Sequence, residues 1–142
     1  MSAILARRYL LRGQGELGRG ENEVAIESFR AALDLMPSFV SARIAYAVAL
    51  VRVGDPPRAA QALRAGLGRP NPPRARAAIL QTLGDVLVAG GDFLGGEDAY
   101  RQVQEIVPND PAPAAGLARV AAKLGRYKDS FAALLVVARA DK

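Results

Sequence analysis

The chain has 142 residues, is 51% hydrophobic and carries a formal net charge of +5. It contains neither cysteine nor histidine, which excludes disulfides, metal sites built from these residues and imidazole bases, and favours the cytoplasm as its compartment. The longest apolar run, Ile44–Val51, is far shorter than the roughly 18 residues of a membrane span, so no membrane insertion is expected.

Hydrophobic spacings of three and four residues, together with capping signals, predict eight helices. Their predicted ranges in chain order are Ala3–Arg19, Asn22–Met36, Ser38–Val53, Pro56–Leu67, Pro72–Ala89, Phe93–Val107, Pro111–Leu124 and Tyr127–Ala140. Asn22 is the expected N-cap of the second helix. The pairs Asp55-Pro56, Asn71-Pro72 and Asp110-Pro111 each place a capping side chain before a proline at the first helical position.

The first predicted helix contains Gly13, Gly15 and Gly18, which have the spacing of the dinucleotide-binding fingerprint. That fingerprint has meaning only where it directly follows a strand and opens a helix. Here a helical pattern precedes it, and no strand-helix-strand unit follows. We therefore expect no nucleotide and no other cofactor.

Glycines recur at the turns between paired helices, at Gly20, Gly54, Gly91 and Gly125, with steps of 34, 37 and 34 residues. A large apolar residue follows each of them in the same register, at Phe29, Leu63, Tyr100 and Leu134. A period of this length is typical of proteins built from stacked helical hairpins. The three additional residues of the second step are expected in a longer loop between Gly68 and Arg74.

The pattern resembles the tetratricopeptide repeat, a helix-turn-helix unit of about 34 residues. The first repeat matches it at Tyr9, Gly13, Ala25, Phe29, Ala32 and Pro37, and the third at Leu80, Leu83, Gly84, Leu87, Tyr100 and Pro108. Arg12, Glu16 and Asn71 depart from it. The resemblance implies an all-α fold, a right-handed α-solenoid of four helix-turn-helix repeats with eight antiparallel helices. It implies one domain over residues 1–142, with repeats at about 6–39, 40–76, 77–110 and 111–142.

The net charges of these four repeats are 0, +6, −5 and +4 in chain order. A nucleic-acid groove needs a continuous basic track, and the acidic third repeat interrupts it. Nucleic-acid binding through the arginines of the second repeat is therefore the weakest of the binding hypotheses. The +6 and −5 repeats could instead attract one another between copies of the chain.

In tetratricopeptide stacks, the first helix of each repeat lines an inner surface that holds segments of other proteins. Carried over by position, the resemblance implies a partner-binding surface formed by Arg7, Leu10, Gln14, Ile44, Val48, Arg52, Gln81, Asp85, Val88, Arg119 and Lys123. Some family members hold a C-terminal carboxylate with a clamp of lysine, asparagine and arginine. Here the corresponding positions carry Leu10, Gln14, Ala45, Ala78 and Thr82 or, one repeat later, Ile44, Val48, Thr82, Ala112 and Gly116, so the clamp is missing.

The sequence therefore favours a non-enzymatic adaptor that binds an amphipathic segment of another protein, with apolar side chains against Leu10, Ile44 and Val48. A basic group of the partner is expected beside Asp85. The last helix is apolar on every side although the end of a repeat stack is normally polar, so a second copy, a partner or a continuation of the chain is expected to cover it. The first of these makes self-assembly the alternative function. Phe131, Leu135 and Val136 are its candidate self-association residues.

Overall fold

The computed structural model describes residues 1–140, and for residues 127–131 it describes the backbone alone. Over these residues the chain forms eight helices and no strand. The helices are α1 Ser2–Gly18, α2 Asn22–Leu35, α3 Val40–Arg52, α4 Pro56–Leu67, α5 Pro73–Ala89, α6 Phe93–Ile106, α7 Ala112–Lys123 and α8 Tyr127–Ala140. The prediction of an all-α fold of four helix-turn-helix repeats is confirmed.

The four turn glycines occupy equivalent places in the backbone. Gly20, Gly54, Gly91 and Gly125 have φ angles of 78°, 83°, 88° and 76°, in the left-handed region that glycine enters at little cost. The amide of the residue after each glycine donates to a carbonyl in the last turn of the preceding helix, as from Asp92 to Leu87 at 2.8 Å. This pattern ends the first helix of a hairpin and starts the return.

The helix starts agree with the sequence at some caps and differ at others. Asp55 accepts a hydrogen bond from the Arg58 amide at 3.3 Å, and Asp92 accepts one from the Gly95 amide at 2.9 Å. Asn22 is not the N-cap of α2, because Glu21 holds that place and Asn22 is already helical. The helix α5 begins at Pro73, so Pro72 rather than Asn71 precedes its first turn.

The helices group into two compact units, residues Met1–Pro70 and Asn71–Lys142. In the first unit α1 packs on α2, α2 on α3 and α3 on α4, and α1 also lies beside α3. In the second unit α5 packs on α6, α6 on α7 and α7 on α8, and α5 also lies beside α7. The first helices of consecutive repeats are therefore neighbours within each unit.

A large side chain from the second helix of a repeat fills the space beside a small residue of the first helix. Phe29 and Tyr100 are both fully buried. A Cβ atom added to Gly13 would lie 2.5 Å from the Phe29 ring, and one added to Gly84 would lie 2.5 Å from the Tyr100 ring. The two glycines therefore allow each ring to pack directly against the backbone of the neighbouring helix.

The structure also assigns a different role to the glycines that imitate a nucleotide-binding fingerprint. Gly13, Gly15 and Gly18 all lie inside α1, and Gly13 is buried against Phe29. They do not form the strand-to-helix turn that the fingerprint requires. None of the helices in residues 1–140 is both long enough and apolar enough to cross a membrane.

Candidate interaction site

Three polar side chains meet in the second unit, each from a different helix. The Tyr100 hydroxyl of α6 donates a hydrogen bond to Oδ1 of Asp85 on α5 at 2.5 Å. Nη2 of Arg119 on α7 lies 3.4 Å from the same carboxylate oxygen and 3.5 Å from the Tyr100 hydroxyl. We call these three residues the Asp85 cluster. The side chains of Asp85 and Arg119 remain 50% and 58% exposed, so a partner could reach them.

The Tyr100 hydroxyl reaches this surface because two glycines leave room for its ring. Gly84 contributes the gap in α5, and Gly116 contributes a second gap in α7, where an added Cβ would also collide with the ring. The ring is buried between these helices, and its polar tip meets Asp85 and Arg119, which the sequence already placed on the candidate surface. The sequence pattern predicted only a core position for Tyr100 and did not indicate that its hydroxyl reaches the candidate surface. A tyrosine at a position held elsewhere by Phe29, Leu63 and Leu134 was the available signal.

The electrostatics of the cluster keep the phenol neutral. Burial is the main cause that raises the pKa of Tyr100 above its usual value, and the hydrogen bond and negative charge of Asp85 raise it further. The positive charge of Arg119 acts in the opposite direction but does not cancel them. Tyr100 therefore acts as a hydrogen-bond donor, and Asp85 has two partners within its own chain.

The residues predicted beside this cluster differ in how accessible they are. Lys123, one turn after Arg119 on α7, is exposed. Gln81, one turn before Asp85 on α5, is partly buried, and its Oε1 atom is buried without a hydrogen-bond partner. Val88 is also partly buried and packs against Gly96 at the start of α6, since a Cβ on that glycine would lie 2.6 Å from Val88 Cγ2. Arg119 and Lys123 are thus the accessible cations of this face.

In the first unit, the predicted residues lie on α1 and α3. Leu10, Ile44 and Val48 are partly buried, whereas Arg7, Gln14 and Arg52 are exposed. Leu10 also packs around the buried alanines Ala6, Ala32 and Ala42, so part of this side chain serves the core. Nη1 of Arg52 donates to the Leu17 carbonyl at 3.4 Å, which links α3 to the last turn of α1, where a cation is favourable.

Several arginines of the second repeat contact groups of the protein itself. Arg43 donates to the carbonyls of Ala62 and Pro37 at 3.0 and 2.9 Å, and burial lowers its pKa, with the charge of Arg69 as a smaller cause. Arg58 donates to the Tyr46 hydroxyl at 3.2 Å. These contacts compete with phosphate binding. Within the described part of the chain, no cluster of histidine, cysteine, aspartate or glutamate could hold a metal ion.

The candidate self-association residues lie on α8. Leu135 and Val136 are 41% and 45% exposed, and Leu134 beside them is 52% exposed. Phe131 falls outside the side chains that the structure describes. The described part of α8 therefore has three consecutive aliphatic side chains that are substantially exposed.

A tetratricopeptide repeat family model matches the sequence at residues 10–76, 48–111 and 81–142. The chain belongs to the tetratricopeptide repeat family. Together these three overlapping matches extend over nearly the whole chain, and family members generally act as interaction modules without enzymatic activity. No curated protein matches this tetratricopeptide repeat chain in sequence.

Solved structures share the fold of this tetratricopeptide repeat protein at low sequence identity. A crystal structure of MamA is 17% identical, with a TM-score of 0.80 over 96% of this chain and 78% of MamA. PilW, described as a widely conserved type IV pilus biogenesis factor, is 21% identical, with a TM-score of 0.84 over 95% of this chain and 61% of PilW. The first repeat domain of Spaghetti (RPAP3), bound to an HSP90 peptide, is 17% identical, with a TM-score of 0.75 over 87% of this chain and 95% of that domain.

Proposed function

We propose that the protein is a non-enzymatic adaptor that binds segments of another protein on the exposed faces of its first helices. The observation that carries this proposal is the Asp85 cluster, in which three helices hold a carboxylate, a phenol and a guanidinium together at an exposed surface. Family membership supports an interaction role, and the fold of the peptide-bound Spaghetti domain is similar.

The cluster favours binding because its groups are already positioned. The buried Tyr100 ring fixes the hydroxyl, the hydroxyl holds Asp85, and Asp85 holds Arg119. A partner that binds an ordered side chain avoids part of the entropy cost of immobilising it, which is about 0.5–1.5 kcal/mol for each flexible side chain.

The contacts of Asp85 change the expected charge of the partner. The sequence suggested a basic partner group beside Asp85, but Arg119 of the same chain occupies that position. Arg119 has five N–H donors, and both of its contacts in the cluster use Nη2. Arg119 and Lys123 carry two positive charges against the one negative charge of Asp85, so we propose that this face binds an acidic side chain of the partner segment.

The first unit supplies an apolar surface of its own. Leu10, Ile44 and Val48 lie on the neighbouring helices α1 and α3 and keep part of their surface in solvent. We propose that they receive apolar side chains of a partner. The two surfaces are therefore proposed separately, the Asp85 cluster for acidic side chains of a partner and the α1–α3 surface for aliphatic ones.

A random peptide library displayed on phage tests the charged surface. The wild type should enrich acidic peptides that bind this surface, and Arg119→Glu should weaken their binding at least about tenfold, because like charges would then oppose each other. Arg101→Glu is the matched control, since this arginine is similarly exposed at 61% but lies on α6. Peptides that bind Arg119→Glu as well as they bind the wild type would contradict the assignment of this surface.

The apolar surface needs a separate test because it lies in the other unit. Val48→Glu should reduce binding of aliphatic peptides selected from the same library, whereas Val24→Glu, on the 48% exposed Val24 of α2, should not. Equal binding by both variants would remove α1 and α3 from the proposal while leaving the Asp85 cluster in place.

Self-assembly is a second candidate function, and the exposed aliphatic side chains of α8 favour it. Leu134, Leu135 and Val136 expose neighbouring apolar side chains on α8, and exposed apolar patches are typical of protein–protein contacts. Light scattering over a range of protein and salt concentrations tests this function. A strictly monomeric protein at its highest soluble concentration would exclude it.

A further inference from the structure

The carboxylate of Asp85 has one oxygen that the cluster does not use. Both contacts of this carboxylate, with the Tyr100 hydroxyl at 2.5 Å and with Nη2 of Arg119 at 3.4 Å, involve Oδ1. Within the part of the chain that the structure describes, no hydrogen bond of Asp85 involves Oδ2. Because the Asp85 side chain is 50% exposed, the second oxygen is left to the solvent.

The packing of the tyrosine ring fixes the direction of this free oxygen. The ring of Tyr100 is fully buried, and it lies directly against Gly84 of α5 and Gly116 of α7. Its hydroxyl therefore has a defined position, from which it donates to Oδ1 of Asp85. Because the two oxygens belong to one planar carboxylate, a donor that holds Oδ1 also orients Oδ2. The protein thus presents an ordered, unused acceptor on an exposed face.

Unused donors belong to the neighbouring guanidinium. Both contacts of Arg119 in the cluster use Nη2, so the N–H groups on Nε and Nη1 are available to a partner. An acceptor of Asp85 and donors of Arg119 therefore belong to side chains whose nearest atoms are 3.4 Å apart. A peptide segment matches this arrangement when it offers an acidic side chain to Arg119 and an N–H group to Asp85.

The charges around Asp85 restrict the kind of donor that it accepts from a partner. A segment that covers the cluster removes water from Oδ2, and an acceptor that is buried without a donor is costly. A lysine or arginine of the partner is disfavoured, because Arg119 and the exposed Lys123 already place two positive charges on this face. A neutral donor remains, and every residue except proline has one in its main-chain N–H. This group is unpaired in an extended segment, whereas the interior of a helix uses it.

We propose that Oδ2 of Asp85 accepts a main-chain N–H of the bound segment, beside the acidic residue that Arg119 binds. This inference rests on the proposed function of the Asp85 cluster and adds a second contact to it. The segment is extended where it crosses the cluster. Because one contact reads a side chain and the other reads the main chain next to it, the two together determine which residue of the segment lies at the cluster.

Replacement of single amides by esters tests the main-chain contact, because an ester has no N–H. The probe is the acidic peptide that binds the full-length wild type most tightly in the phage selection. It is synthesised with one ester at a time, at the acidic residue and at each of its two neighbours, and binding is measured by fluorescence anisotropy. One of these esters should weaken binding about five- to tenfold. The selected peptides should also lack proline at that position, because proline has no N–H.

The preference for the amide over this ester should disappear in Asp85→Asn. The asparagine keeps its carbonyl oxygen toward the donors of Tyr100 and Arg119, which puts its NH2 group where Oδ2 was. The main-chain N–H then faces a donor, so the amide and ester peptides should bind this variant within about twofold of each other. Asp98→Asn is the matched control and should retain the wild-type preference, since Asp98 is an exposed carboxylate of α6 whose partner is Gln102. Circular dichroism verifies that both variants are folded.

The other outcomes separate this inference from the proposed function. If Arg119→Glu weakens binding but no ester affects the wild type more than Asp85→Asn, the main-chain contact is wrong and the adaptor proposal stands. If removal of a hydroxyl or side-chain amide from the peptide shows the dependence on Asp85 instead, the donor is a side chain and the main-chain contact is again wrong. If no acidic peptide binds through Arg119, the proposed function of the cluster fails, and this inference fails with it.

Discussion

Replacing Gly84 by alanine tests whether the Tyr100 ring is held directly against α5. Alanine is favoured over glycine in a helix interior by about 1 kcal/mol. At Gly84, however, the new methyl carbon would lie 2.5 to 2.9 Å from three atoms of the ring, and overpacking of this kind costs about 1–3 kcal/mol. The ring cannot simply move away, because Gly116 of α7 packs against it as well. We therefore expect Gly84→Ala to lower the free energy of unfolding by up to about 2 kcal/mol.

The sign of the effect should reverse when the ring is removed. In a Tyr100→Leu background, which carries the residue found at the same position in the second and fourth repeats, Gly84→Ala should raise stability by up to about 1 kcal/mol. Urea denaturation, monitored by circular dichroism, gives the free energy of unfolding of the wild type, the two single variants and the double variant. The resulting double-mutant cycle isolates the coupling between the two sites. Gly15→Ala is the control in α1, where the nearest atom to the new carbon is the flexible end of Arg19 at 3.4 Å.

A stabilising Gly84→Ala in the wild-type background would refute this reasoning. The same conclusion would follow if the substitution had equal effects with Tyr100 and with leucine. Either result would mean that the ring does not pack against the backbone of α5, and the fixed position of the Asp85 cluster would lose its basis.

Three further predictions concern buried polar groups and caps. The raised pKa of Tyr100 means that the folded state favours the neutral phenol. Its contribution to the free energy of unfolding is complete below the unfolded pKa of about 10 and is lost as the pH rises further. In denaturation experiments at alkaline pH, the free energy of unfolding should therefore fall less for Tyr100→Phe than for the wild type. Ser28→Ala removes the hydrogen bond that Ser28 donates to the buried Glu16 at 2.5 Å, and should cost about 1–3 kcal/mol. Adding Glu16→Leu should recover most of that loss in thermal melts, because it removes the buried carboxylate, whose other partner is the exposed Arg12 at 3.7 Å. Asp92→Ala removes the N-cap of α6 and should cost about 0.5–2 kcal/mol, whereas no comparable loss is expected for Asp98→Ala at the exposed Asp98 of the same helix.

The repeat pattern was predictable because it depends on backbone geometry that few residues satisfy. Only glycine readily takes the left-handed conformation of the four turns, so Gly20, Gly54, Gly91 and Gly125 identified the hairpins correctly. The helix starts were less certain, because several neighbouring residues can cap a helix. Asn22 has a suitable side chain, yet it lies inside α2 and its Oδ1 atom is buried without a hydrogen-bond partner.

The candidate site was only partly predictable, for a physical reason. The positions of Asp85 and Arg119 on the first helices follow from the repeat register, and the structure brings the two together. The contribution of Tyr100 depends on how far its ring extends between α5 and α7, which is a property of packing in three dimensions. In the same way, Glu16 was recognised as a departure from the apolar pattern, but its donor Ser28 was not.

The contact between Glu16 and Ser28 distinguishes the first hairpin from the others. In the later repeats the position of Glu16 carries Leu50, Leu87 or Ala121, and that of Ser28 carries an alanine. If α1 paired with the second helix of any other repeat, the Glu16 carboxylate would be buried opposite a methyl group, at a cost of about 1–3 kcal/mol. In a chain of four similar hairpins, this single pair penalises a misaligned fold in which α1 associates with the wrong return helix.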